Sequence, residues 1–232
     1  MTLKELGYNS NNDHREIVER LENKDIGWAY ADQSMFNPKL HNLMSLRKQI
    51  IKRPVITTVE VLVKPVSSKN DMFFTGFVHK PYPPIYLELS RNAQFNSATV
   101  IRGTEGGIIP SLRQTGKVHF YHGAGEQDDY YDITPEDLGI VQSSRAVDIP
   151  EEITRKNTKD KIESKVDAVD IAKETIKSGI SALSGNDGAM LSCIQLGAAI
   201  ILQRATGNDL GNCSKEVLQV LKSGAALKRM KR

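Results

Sequence analysis

Cysteine is nearly missing from this chain of 232 residues, which has two, Cys193 and Cys213, too few for a disulfide framework. Cys193 lies in the most apolar stretch, where cysteine serves as a small hydrophobe, so a reducing compartment is expected. A membrane-length apolar run is missing too. The longest, residues 189–203, holds about 15 residues against the roughly 20 that a span needs, and Ser192 and Gln195 interrupt it, so a buried helix is expected. Nor does one sign of charge dominate. Lys and Arg number 31 against 28 Asp and Glu, a formal charge of +3. So small an excess does not by itself mark a nucleic-acid binder, because phosphate recognition depends on clustered basic residues. The N-terminus does not join a basic region to an apolar one as a secretory signal does, and the cytosol or nucleus is expected. No repeat of fixed period and no low-complexity segment is visible.

What is present fits an ordinary globular protein, with 39% hydrophobic and 25% charged residues, long enough for one large or two small domains. The middle of the chain, residues 55–132, is a series of short alternating segments. In Ile56-Thr57-Thr58-Val59-Glu60-Val61-Leu62-Val63, the side chains of Val59, Val61 and Val63 share one face at the two-residue period of a half-buried strand. Similar runs follow at 72–79, 85–89, 98–102 and 117–121, parted by Pro, Gly, Asn and Ser clusters that supply turns. The two ends read as helical. Asp13 and Glu16 have the pattern of a capping box, continued by Ile17, Val18 and Leu21. Asn37-Pro38 starts a second helix that carries Leu40, Leu43, Met44, Ile50 and Ile51 and ends before Pro54. Thr134-Pro135 opens a one-turn helix closed by Gly139, and residues 143–161 turn polar as a linker does.

Beyond the linker, Ile162, Val166, Val169, Ile176 and Ile180 keep a helical period. The helix over 189–205 is apolar nearly all round and needs neighbours, and Ser214 is expected to cap a third helix bearing Val217, Leu218, Leu221 and Leu227. The expected class is therefore α+β: an antiparallel β-sandwich or partial barrel core over 55–142, flanked by an N-terminal helical segment over 1–54. After the linker at 143–161 comes a C-terminal helical bundle over 162–232.

Few side chains declare chemistry. Arg47, Lys48, Lys52 and Arg53 on the second helix, and Lys228, Arg229, Lys231 and Arg232 at the C-terminus, form two basic clusters. As nucleic-acid-binding residues they would act through phosphate neutralisation, without reading bases. The bland alternatives are a solvated helix face and a helix end that complements the macrodipole. Arg102-Gly103-Thr104-Glu105-Gly106-Gly107 has the glycine content of a phosphate cradle but lacks Walker spacing to Gly116-Lys117, and no long helix follows, so it reads as a flexible loop. His119 and His122, with Glu126, Asp128 and Asp129, resemble metal ligands or acid–base groups. Residues three apart on a strand point to opposite faces, so no metal site, cofactor or catalytic set is expected. Pro83-Pro84-Ile85-Tyr86 matches the Pro-Pro-x-Tyr pattern that docks in WW domains, yet it abuts Leu87-Glu88-Leu89, which reads as strand, and a turn into that strand is expected.

The segments Val59-Glu60-Val61-Leu62-Val63-Lys64-Pro65-Val66, Phe74-Thr75-Gly76-Phe77 and Leu87-Glu88-Leu89-Ser90-Arg91 resemble the opening of the β-core in plant-virus cell-to-cell movement proteins of the thirty-kilodalton superfamily. Leu89 stands where that family has an aspartate, with Glu88 beside it, and Gly139 stands where it has a glycine. The resemblance implies a non-enzymatic viral protein that binds single-stranded nucleic acid and self-assembles as a homo-oligomer. It also implies peripheral membrane association and residence in the host cytoplasm and at plasmodesmata, with no small-molecule substrate. Two alternatives come from other classes. One is a viral matrix or structural assembly protein recruiting host factors through Pro83, Pro84 and Tyr86; the other is a metal-dependent enzyme using the His119 and His122 region.

Overall fold

The capping box at Asp13 forms as its residues predict. Asp13 Oδ1 accepts the Glu16 amide at 2.9 Å and Glu16 Oε2 accepts the Asp13 amide at 3.0 Å, which starts α1 (His14–Glu22) and leaves Ile17 buried. The computed structural model describes residues 6, 8, 13–50, 55–150, 153 and 168–232. Within them the second predicted helix is divided into α2 (Gln33–Phe36), α3 (Pro38–His41) and α4 (Met44–Gln49). Asn37 caps α3 by accepting the Leu40 amide at 3.1 Å, with Pro38 in the first turn.

Residues 56–62 are not a strand. They form α5 (Ile56–Val59) and a 3-10 turn at Glu60–Leu62, because the buried side chains are Thr58 and Leu62, four apart, while Val59 and Val61 are exposed. Burial at helical spacing overrides the strand propensity of a β-branched run. β1 (Met72–Phe77) follows. Residues 85–89 are not a strand either, but lie within α6 (Tyr82–Asn92). Pro83 and Pro84 occupy its first turn, where a missing N–H costs nothing, and Pro83, Tyr86, Leu87 and Ser90 are buried at i, i+3, i+4 and i+7. Tyr86 is 3% exposed, so the Pro-Pro-x-Tyr pattern is a helix start and offers no docking motif.

β2 (Ser97–Arg102), β3 (Gly116–Tyr121) and β4 (Asp129–Ile133) complete one sheet of order β1-β2-β3-β4. β1 and β2 are parallel from Met72↔Ser97 to Phe77↔Arg102, with α6 as the crossover such a pair requires. β2–β3 and β3–β4 are antiparallel, with Ala98↔Tyr121 and Gly116↔Ile133 fixing the registers. The α+β class holds, but the architecture is a single open mixed sheet and neither a sandwich nor a barrel. Two of the five expected strands are helical, and β4 falls where no strand was expected.

Helices cover both faces. On one, α6 packs Tyr86 and Leu87 onto Phe73, Phe77, Val100 and Tyr121. On the other lie α7 (Ala168–Leu183), α8 (Ala189–Thr206), α9 (Leu210–Lys222) and α10 (Ala225–Met230). α8 places Leu196 and Ile200 against Ile101, Val118 and Ile133. Its interrupting polar residues are satisfied: Gln195 Nε2 donates to Ser214 Oγ at 2.9 Å, and Gln142 Nε2 to Ser192 Oγ at 3.1 Å. By length and composition α8 could cross a membrane, yet here it is the central helix of this layer, packed against α7 and α9. Asp209, and not Ser214, caps α9, accepting the Asn212 amide at 3.0 Å. The predicted one-turn helix is a 3-10 turn at Pro135–Leu138, closed by Gly139 at φ 73°. Of the expected linker, residues 143–150 run beside the core, while 154–161 lie outside the described residues, as do Ile162 and Val166.

Candidate functional site at the carboxyl edge of the sheet

In a sheet with a parallel pair, ligands bind outside the carboxyl ends of the strands, where loops diverge. Here that edge is built by glycine. The chain leaves β2 at Arg102, bridges Gly103 to Pro110, and makes a 3-10 turn at Thr104–Gly106 that folds back over the strand ends. A Cβ on Gly76 would lie 2.1 Å from the Gly107 carbonyl oxygen, and one on Gly103 would lie 1.4 Å from it. Any side chain at either position would push the loop off the sheet.

The loop's far end is held by Leu112, fully buried, whose amide donates to the Arg145 carbonyl at 2.9 Å. Arg113 Nη1 donates to the Ser143 carbonyl at 3.2 Å. These bonds bring the segment around residue 145 alongside the loop, and a cavity of about 40 Å³ remains between them. Arg102, Thr104, Ser111, Gln114, Thr115 and Arg145 are among its lining residues. It has room for a few oxygen-sized atoms. Arg102 and Arg145 are exposed, and neither forms an ion pair among the described residues. Among the described residues the Thr104 hydroxyl oxygen is buried without a hydrogen-bond partner. Two guanidiniums without an ion pair among the described residues, with hydroxyls and an amide around a small cavity, form a donor set suited to an oxyanion.

The predicted sites lie elsewhere. His119 packs its ring against Phe77 and Tyr130, whereas His122, just past β3, meets Phe120 and Arg204. Burial holds the His119 imidazole below the usual histidine range, with Lys117 adding to the effect against Asp128 and Asp132. Arg47 is engaged by Glu60 in an ion pair of 2.5 Å. Lys52, Arg53 and the side chain of Lys48 lie outside the described residues. At the other end, Arg229 Nη2 donates to the Lys24 carbonyl at 2.5 Å and Arg232 pairs with Asp25 at 2.8 Å. Those two arginines therefore clamp the C-terminus onto the segment after α1, while Lys228 and Lys231 remain exposed.

No model of a known protein family matches the chain. An uncharacterized protein of Aquifex aeolicus is 35% identical over 95 residues, 41% of this chain and 30% of that protein. The anthranilate phosphoribosyltransferase of the same organism is 22% identical over 205 residues, 88% of this chain and 54% of that protein. Among solved structures, an anthranilate phosphoribosyltransferase variant from Saccharomyces cerevisiae in complex with 4-fluoroanthranilate superposes with a TM-score of 0.69 at 14% identity, over 95% of this chain and 57% of that one. Another variant of the yeast enzyme, with Mg bound, gives a TM-score of 0.66 at 14% identity, over 89% of this chain and 54% of that one. The fold is shared with a phosphoribosyltransferase. This chain spans about half the length of those phosphoribosyltransferases.

The likeness overturns the expected kinship with movement proteins, and with it the viral function, the matrix alternative and the histidine-based metalloenzyme. The segments that carried that resemblance, around Val59 and Leu87, are helical here and cannot open a β-core. The expectation of a non-enzymatic protein is corrected as well, since the shared fold is that of a transferase. The glycine-rich turn at residues 103–107 is visible in the sequence but lacks Walker spacing. The signal that could have found it is its position directly after the second strand of a strand–helix–strand unit. Reading α6 as a strand hid that unit. Arg145 carries no local signal at all, because tertiary packing brings it to the loop.

Proposed function

We propose that this chain binds a phosphorylated sugar of the phosphoribosyl class at the carboxyl edge of its sheet, and takes part in a transfer reaction of the kind its relatives' name describes. The observation that carries this reading is the cavity flanked by Arg102 and Arg145, neither paired with a carboxylate among the described residues, on a fold shared with a phosphoribosyltransferase. Guanidinium groups grip phosphate through paired N–H donors, and the buried Thr104 hydroxyl would gain a partner from a bound oxyanion. Transfer of a phosphoribosyl group from its diphosphate breaks the bond between the anomeric carbon and a diphosphate oxygen and forms one from that carbon to an acceptor nucleophile, and negative charge gathers on the departing diphosphate. Fixed cations at that place would stabilise the charge as it develops.

A yeast relative is described with Mg bound. Among the described residues of this chain no three His, Cys, Asp or Glu side chains come together, and the described residues lining the cavity include no carboxylate. Magnesium is held by carboxylates together with phosphate and water oxygens. The described donor set supplies no such carboxylate.

Calorimetric titration with 5-phosphoribosyl 1-diphosphate tests the reading. Binding should weaken by about tenfold or more in Arg102→Ala and again in Arg145→Ala, the loss of a charge-assisted hydrogen bond in each case. Both side chains are exposed, so folding is spared. Absence of binding by the unaltered protein would remove the proposal.

A further inference from the structure

We infer that the outer edge of β1 pairs with a second copy of this chain. β1 is an end strand of the sheet, and the Asp71 carbonyl just before it accepts the amides of Asn96 at 2.9 Å and Ser97 at 3.4 Å. That fixes the phase of the parallel ladder. Phe73, Thr75 and Phe77 turn their backbone groups toward β2, and Met72, Phe74 and Gly76 turn theirs outward, where no partner meets them among the described residues. β4, the other edge, is guarded by Asp129 and Asp132, whereas β1 has neither charge nor proline. Apolar surface adjoins the open edge on both faces of the sheet. Arg91 donates to the Ala124 carbonyl at 3.1 Å and to the Glu126 carbonyl at 2.8 Å, so its flank of α6 faces β3 and β4. At about 100° per residue, Tyr82, Ile85 and Leu89 fall on the opposite flank, which looks past β1. Ile85 is 45% exposed there. On the other face α8 covers Ile101, Val118 and Ile133 of the remaining strands, and leaves Met72 exposed and Phe74 half-buried.

The outward residues are symmetric about Phe74. A two-fold axis there sets Phe74 opposite its own copy and Met72 opposite Gly76 in antiparallel register, and every outward N–H and C=O then gains a partner. The same axis brings the two Phe74 rings together as a cross-strand pair and turns the two α6 flanks toward each other. A lone extended peptide would satisfy the backbone and leave Ile85 bare. A second copy covers the strand and the helix flank at once.

Amide hydrogen exchange of the full chain, followed by NMR over a range of concentrations, reads the edge directly. The Phe74 amide should exchange freely in dilute solution and become protected as concentration rises, while the Phe73 and Thr75 amides, bonded to β2, stay protected throughout. Sedimentation over the same range should show monomer giving way to dimer. Met72→Lys and Ile85→Lys place a charge at exposed positions, so folding is spared. Each should raise the dissociation constant of the dimer about tenfold or more, as edge charges do. Ile201→Asp, in the groove beside α8, should leave the dimer intact. A monomer at every concentration would overturn the inference, as would Phe74 protection that does not depend on concentration. A dimer indifferent to both lysine variants, or one dissolved by Ile201→Asp, would place the contact elsewhere and overturn it too.

Discussion

The two helices that cover the sheet finish their outer sides differently. α6 buries Tyr86 and Leu87 in a core rich in aromatic rings, with Phe73, Phe77, Phe95 and Tyr121, and turns Glu88 and Asn92 to solvent. α8 packs Leu196 and Ile200 into an aliphatic core with Ile101, Leu112, Val118 and Ile133. Its other side does not meet water in the same way: Ile194, Ala198, Ile201 and Leu202 line an apolar groove of about 450 Å³ with Val217 and Val220 of α9. Each helix is also tied to the sheet by a tyrosine hydroxyl. Tyr121 lies 3.1 Å from Ser90 Oγ on α6 and donates to the Phe95 carbonyl at 3.2 Å, while Tyr131 donates to Gln203 Oε1 on α8 at 2.6 Å. The sheet thus has one side closed by a single amphipathic helix. The other is closed by a helix that is itself the core of a further layer.

If α8 is central to two layers and α6 to one, the largest effect should come from hollowing α8. Leu196→Ala is expected to cost about 2–5 kcal/mol in denaturant unfolding, and more than Leu87→Ala, although both side chains are almost fully buried. The reverse ranking would break the comparison.

The tyrosine tie on the α8 side should show itself in alkali. Burial pushes the Tyr131 hydroxyl from its ordinary 10 up to about 12, against an opposing effect of Arg204. A folded-state value above the unfolded one means that its contribution to stability is complete below about pH 10 and is lost as pH rises toward about 12. Unfolding followed over that window should show a smaller decline in Tyr131→Phe than in the parent. Tyr121, also raised by burial, keeps part of the slope. Equal slopes in the two proteins would exclude this origin.

The smallest expected effect on folding is at the groove. Ile201→Asp should change unfolding stability by about 1 kcal/mol or less, since the side chain borders open space and is not enclosed. Sedimentation of the same variant tests whether this apolar helix mediates self-association. An identical sedimentation coefficient for variant and parent would remove α8 as an association surface.

How much was legible depended on length and on caps. α8 was readable as a helix although apolar on nearly every side, because its 18 residues exceed any ordinary strand. Residues 85–89 of α6 were not, because five residues of alternating character fit both periods and the prolines before them suit a strand start as well as a helix start. The same ambiguity misread Ile56 to Val63. The candidate site suffered from both errors, since without α6 as a crossover the loop after Arg102 had no architectural meaning.

By itself the sequence determined the local events whose partners are three or four residues apart, namely the capping box of Asp13 and Glu16, the Asn37-Pro38 start and the turn closed by Gly139, and also where β1, β2 and β3 lie. The first three are decided by hydrogen bonds and backbone preferences inside one turn, and the strand positions by side-chain alternation along one segment. Only the tertiary structure decided that β1 and β2 run parallel, that Gly76 and Gly103 admit the loop carbonyl of Gly107, and that Arg145 joins Arg102 at the sheet edge. Strand direction and close backbone approach depend on which distant segments pack together, and that is settled by burying both faces of the sheet at once.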